Sequence, residues 1–130
     1  MLGEATVRPV PRGDATTDLY IDTERFHDMF CPDVPAPRAA VMAATQRPAT
    51  AEALYEPSGE RPLWRELPSW FVFGELDLII PAEVQHFMAK RAQAHRTIEI
   101  PGASHAITVS HPVAAARLIL HAAGVHAAAA

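Results

Sequence analysis

Residues 69–74 read Ser-Trp-Phe-Val-Phe-Gly, an apolar run without alternation. A strand with one wet face alternates. A continuous run is the pattern of a strand buried on both faces, and such strands belong to parallel sheets covered by helices. A parallel neighbour needs a crossover, and the following residues supply one. Pro81 suits the first turn of a helix, where its missing N–H costs nothing. The spacing predicts that helix over Ala82–Ala94, with Val84, Phe87 and Met88 as its buried stripe. Glu83 near its start and Lys90 and Arg91 near its end complement the helix dipole. Arg96–Ile100 reads as a second strand, with Ile98 and Ile100 on one face and Thr97 and Glu99 on the other, an exposed, edge-like alternation. A last helix is predicted from about Pro112 to Gly124, its apolar residues being Val113, Ala116, Ile119, Leu120 and Ala123. The Ala127–Ala130 tail is expected to fray. Residues 61–130 thus predict an α/β class with the order β-α-β-α.

The first half is less regular. Residues 1–17 are dominated by Pro, Gly, Thr and charge and read as a disordered lead or linker. A short extended piece follows at Asp18–Ile21. Thr23 offers an N-cap for a helix through about Phe30, with Phe26, Met29 and Phe30 on one side. Pro32, Pro35 and Pro37 break it. A second helix is predicted from Arg38 to about Gln46 and a third, capped by Thr50, over Ala51–Glu56. Twelve prolines, concentrated in this half, mark its joints. Residues 18–60 are therefore expected to form a helical cap. It is either a peripheral subdomain or a cover whose Phe26, Met29, Phe30 and Met42 line a substrate site.

Charge and cysteine content narrow the function classes. The net charge is −4, and Lys90-Arg91 is the only adjacent basic pair, so the basic stripe of a nucleic-acid binder is missing. One cysteine, Cys31, excludes an internal disulfide and fits a reducing compartment. Residues 1–17 hold no apolar signal-peptide core, and no apolar run approaches membrane-spanning length, so a cytoplasmic location is expected. No Cys or His cluster has zinc spacing.

Two parallel strands joined by a helix bring their C-terminal loops to one sheet edge, where α/β proteins carry their chemistry. The first loop holds Asp77, three residues past Gly74. Alone, Asp77 reads first as a turn or cap residue, and Glu75 competes for any acid role. The second loop holds His105, one of seven histidines. Alone it reads as a solvated or locally bonded side chain, as do His27, His86, His95, His111, His121 and His126. As a pair they have a purpose. A carboxylate that accepts from histidine Nδ1–H fixes the tautomer and stabilises the imidazolium formed when the ring takes a proton.

These residues resemble a family. Pro68-Ser-Trp-Phe-Val-Phe-Gly-Glu-Leu-Asp77-Leu-Ile-Ile-Pro81, followed by Ile98-Glu-Ile-Pro-Gly-Ala-Ser-His105, is similar to the C-terminal part of the α/β-hydrolase superfamily. That pattern runs from apolar strand through small residue, acid, Ile-Pro and helix to a strand and Gly-Ala-x-His. The resemblance implies Asp77 as catalytic acid and His105 as catalytic base, in the family's order. Residues 7–123 are most similar to small esterase-like members, such as plant methyl esterases and hydroxynitrile lyases. The segments Tyr20–His27 and Met42–Pro48 resemble the cap of bacterial members.

The chain departs from the family at the nucleophile. The serine of these enzymes sits in G-x-S-x-G on a tight strand-to-helix turn. The six glycines here, at 3, 13, 59, 74, 102 and 124, include no two that are four apart. The His-Gly oxyanion segment is absent as well. Ser58, Ser69, Ser104, Ser110 and Cys31 lack the setting of an elbow. The resemblance therefore implies a partial α/β-hydrolase fold, acting on a small apolar ester-like substrate or ligand, needing no metal or organic cofactor, and inactive alone. An N-terminal half or a dimer partner is expected to cover the exposed sheet edge. The alternatives are a non-catalytic relative that binds apolar ligands and a protein-binding module using that edge. Neither nucleic acid nor membrane is expected as a partner.

Overall fold

The computed structural model describes residues 7–124. His126, Ala127–Ala130 and the first six residues lie outside this range. The chain divides into two compact units, Met1–Pro62 and Leu63–Ala130.

The first unit holds a three-stranded sheet ordered β1-β2-β3. β1 (Val7–Pro11) and β2 (Thr17–Ile21) form an antiparallel hairpin in register from Val7 opposite Ile21 to Pro11 opposite Thr17. The short β3 (Ala49–Thr50) pairs antiparallel with β2 on its other side. Residues 7–17 are thus paired strand and turn, not an unpatterned lead. Their proline content obscured this, yet β1 lies at the edge, and an edge strand tolerates residues that lack an N–H. The turn is closed by Arg12 N–H donating to Thr16 O at 2.8 Å. Asp14 Oδ1 accepts from Thr16 Oγ1 at 2.6 Å and from Thr16 N–H at 3.1 Å. Those bonds, the hydroxyl's first, hold the Asp14 carboxyl below its ordinary pKa.

Three short helices complete this unit: α1 (Phe26–Phe30), α2 (Ala36–Thr45) and α3 (Ala51–Tyr55). Thr23 is not the cap of α1. Asp22 shapes the entry, accepting from Glu24 N–H on its side chain at 2.9 Å and from Arg25 N–H on its carbonyl at 3.0 Å. α2 starts two residues earlier than predicted because Pro37 lies inside its first turn, where no N–H is needed. The Gln46 side chain then extends the sheet. Its Oε1 accepts from Ile21 N–H at 3.0 Å and its Nε2 donates to Ile21 O at 2.9 Å, as a neighbouring strand would. Gln46→Ala leaves both main-chain groups half-buried and unpaired, and is expected to cost about 1–3 kcal/mol in urea denaturation. An unchanged midpoint would show that water replaces the amide without loss.

The second unit opens with a 3-10 turn at Leu63–Arg65, whose Trp64 ring lies 4.5 Å from the Arg91 guanidinium. β4 (Trp70–Gly74), α4 (Ala82–Arg91) and β5 (Arg96–Ile100) form the predicted crossover. The two strands are parallel, in register from Trp70 opposite Arg96 to Gly74 opposite Ile100. α5 (Ile107–Ser110) and α6 (Pro112–Ala122) follow. The helices take opposite sheet faces. Phe73 meets the His86 ring of α4 edge-on at 5.0 Å, and His86 Nε2 lies 2.6 Å from Glu99 of β5. On the other face Val72, Ile98 and Ala114 pack against a buried cluster of Ile100, Ala103 and Ile107.

Both long helices are rotated relative to their predicted stripes. On α4, Phe87 is 60% exposed and Val84 is exposed too, while Ala89 is buried and Met88, like Ala82 and Gln85, is half-buried. On α6, Ala115 and Leu118 are buried, while Val113, Ile119 and Leu120 are exposed. In each helix an alanine is among the buried residues, Ala89 on α4 and Ala115 on α6. Burial of β4 on both faces is complete at Phe73 and Gly74 and partial from Trp70 to Val72.

Candidate active site

The matched register ends both strands at the same edge, so residues 75–81 and 101–106 emerge side by side. Hydrogen bonds tie the first loop to the end of β5 and to the second loop. Glu75 N–H donates to Ile100 O at 3.0 Å, Leu76 N–H to Ala103 O at 2.9 Å, and Gly102 N–H to the Glu75 carboxylate at 2.8 Å. The second loop turns at Gly102, whose φ of +69° lies in the left-handed region that glycine enters without strain. It then buries Ala103 and Ser104 and presents His105.

Asp77 and His105 meet across these loops. The Asp77 side chain is 2% exposed and that of His105 is 26% exposed. His105 Nδ1 lies 2.8 Å from Asp77 Oδ2. The other carboxylate oxygen, Oδ1, accepts from Ile79 N–H at 2.8 Å and from Ile80 N–H at 2.9 Å. Gln85 Nε2, from the first turns of α4, reaches Oδ2 at 3.4 Å. The two readings of Asp77 are therefore both true of one side chain: one oxygen organises the turn and the other holds the histidine. A buried carboxylate with four donors around it is a compensated group, unlike a bare charge.

The chemical consequence lies in the ring. Against a carboxylate, which only accepts, Nδ1 carries the proton and donates. The lone pair is then on Nε2, on a ring whose side chain is a quarter exposed. In that tautomer Nε2 is the ring atom that can accept a proton.

Glu75, the rival acid, is committed to Gly102 N–H instead. Gln85 was missed by sequence reasoning; its signal was a polar residue at the inward i, i+3 position from Ala82. The four apolar candidates lie in the first unit. Phe26 is 3% exposed, with its ring 5.0 Å from that of Phe30, while Met29, Phe30 and Met42 are half-buried. Among the described residues, no three His, Cys, Asp or Glu side chains converge as a metal site. No helix of the described residues is long and apolar enough to cross a membrane.

Comparison with known proteins agrees with the fold. A family model described as "Alpha/beta hydrolase family" matches residues 2–118. Among solved structures, polyneuridine aldehyde esterase superposes with a TM-score of 0.72 at 14% identity, covering 90% of this chain and 48% of its own. A methylesterase from Arabidopsis superposes with a TM-score of 0.70 at 14% identity, covering 84% and 47% respectively. The chain thus spans about half the length of the solved structures it matches. At that identity the likeness is one of fold. No curated protein matches.

Proposed function

The chain belongs to the alpha/beta hydrolase family, and from that premise we propose that it supplies the acid and base of a serine-type ester or amide hydrolase. The observation that carries this reading is the 2.8 Å bond between His105 Nδ1 and buried Asp77. His105 Nε2 takes the proton of a serine hydroxyl as its oxygen attacks the substrate carbonyl. The same nitrogen then returns that proton to the departing alcohol or amine. Asp77 keeps the ring in the competent tautomer and stabilises the imidazolium between the two steps. The proposed substrate is a small apolar ester; Met29, Phe30 and Met42 are half-buried apolar groups of the first unit. The esterase names of the structural neighbours point the same way. The lone cysteine favours a reducing, cytoplasmic setting.

The serine belongs to a partner segment in this proposal, since G-x-S-x-G does not occur in these 130 residues. β4 pairs with β5 alone among the described strands, and a two-stranded sheet is marginal by itself. Val84, Phe87, Val113, Ile119 and Leu120 are exposed on the helices that cover it. An added N-terminal half pairing along β4 would cover such surface and satisfy the open strand edge. Without nucleophile or oxyanion donors, turnover by this chain alone is expected to vanish, loss of a triad serine costing roughly 10⁶ in kcat. Hydrolysis of p-nitrophenyl acetate measures this directly. The chain alone should match its His105→Ala variant, and adding an N-terminal hydrolase half that carries G-x-S-x-G should produce turnover that the variant lacks. His105-dependent turnover by the unassisted chain would overturn the divided-site reading. The absent motif also favours a second reading, a non-catalytic module that binds an apolar ligand or a protein. Reconstitution that yields a stable complex without turnover would favour it.

A further inference from the structure

We propose that Glu75 is a positioning residue that holds the His105 loop against the Asp77 loop. Its carboxylate accepts from Gly102 N–H at 2.8 Å, across 27 positions of sequence. The turn formed by residues 100–103 directs its backbone bonds elsewhere: Ala103 N–H returns to Ile100 O at 3.2 Å, and Ala103 O accepts from Leu76 at 2.9 Å. Gly102 N–H therefore points out of the turn, and the side chain of Glu75 meets it. Gly102 is three residues from His105 and Glu75 two from Asp77, so this contact spans the same gap as the Asp–His bond.

Two features make the contact a matter of position more than of bulk stability. Glu75 and Gly102 are both exposed, so water can replace either partner. The main-chain bonds beside it also join the loops whatever residue occupies position 75. The side-chain bond adds an anchor at the turn's outer corner, where Gly102 has a φ of +69°. A carboxylate acceptor strengthens that anchor relative to a neutral one. The anchor limits how far His105 swings from Asp77.

This inference rests on His105 and Asp77 forming the acid–base pair, and NMR of the intact chain separates the two claims. The unaltered protein should show a slowly exchanging His105 Nδ1–H proton; its absence would sink the pair itself. In Glu75→Ala that signal should broaden or vanish, and the Gly102 amide should exchange roughly tenfold faster, about the worth of a hydrogen bond to a charged group at an exposed site. Amides of Val72 and Ile98 in the sheet should be unchanged. Glu75→Gln, which keeps an oxygen acceptor, should restore most of the His105 signal. A signal present in the unaltered protein and indifferent to Glu75→Ala overturns the proposal. So does equal loosening of Val72, Ile98 and Gly102, which would make Glu75 a general stabiliser. If Glu75→Ala fails to fold, Glu75→Gln decides, since loss of the signal in that folded variant also overturns it.

Discussion

Asp77→Asn is expected to lower the turnover of the reconstituted hydrolase by about 10⁴-fold while leaving the fold intact. Asparagine keeps an oxygen for Ile79 and Ile80 N–H, which Asp77 Oδ1 binds at 2.8 and 2.9 Å. Its NH₂ group then falls where Oδ2 stood, facing His105 Nδ1. That nitrogen must now accept, the ring proton moves to Nε2, and the base has no lone pair to offer. Thermal unfolding should move little, and ring ¹⁵N shifts should report the reversed tautomer. Asp77→Ala separates the two roles differently. It strips both turn bonds as well, each worth about 1.5–3 kcal/mol for a charged acceptor, so it should lose stability and activity together. Equal turnover in Asp77→Asn and the unaltered protein would assign His105's partner wrongly.

Gly74→Val should be the most destabilising single change in the second unit. A Cβ at Gly74 would sit 2.3 Å from the carbonyl oxygens of both Ala103 and Ser104. The demand is for room and not for unusual backbone angles, since Gly74 is not among the positive-φ residues. The obstructing atoms are main chain, so no rotamer change relieves the clash. The loop could retreat only by lengthening the Leu76–Ala103 and Glu75–Ile100 bonds that set the spacing of Asp77 and His105. The cost is placed at about 3 kcal/mol or more, the upper end for overpacking. That is a large share of the stability of a small domain. Urea denaturation followed by Trp70 fluorescence reads it, and Gly74→Ala should behave alike, because the first carbon already collides. A stable Gly74→Ala with an intact Nδ1–H signal would show that the loops have slack the geometry does not reveal.

These expectations differ in how far the sequence anticipated them. Asp77 and His105 were legible because each follows an apolar run at a fixed short distance, and two parallel strands must end together. The crossover helix was legible from Pro81 and the charge asymmetry along it. The hairpin at 7–21 was not, because edge-strand prolines and a Thr-rich turn have the composition of a linker. The α4 stripe was misplaced at Val84 and Phe87 by preferring large apolar side chains. Phe87 instead lies out beside Arg91, their groups 5.3 Å apart, while Ala89 faces the sheet.

From its sequence alone this chain is determined to be of the α/β class, with an acid and a histidine at one sheet edge and no G-x-S-x-G. Those properties follow from local pattern: periodicity, strand ends and residue type. Tertiary structure decided which carboxylate meets the histidine. Glu75 and Asp77 are two residues apart and chemically alike, yet one accepts from Gly102 and the other from His105. It also decided that position 74 has no room for a side chain. Both outcomes depend on ångström-scale distances between loops more than twenty-five residues apart, and only the paired strands set those distances.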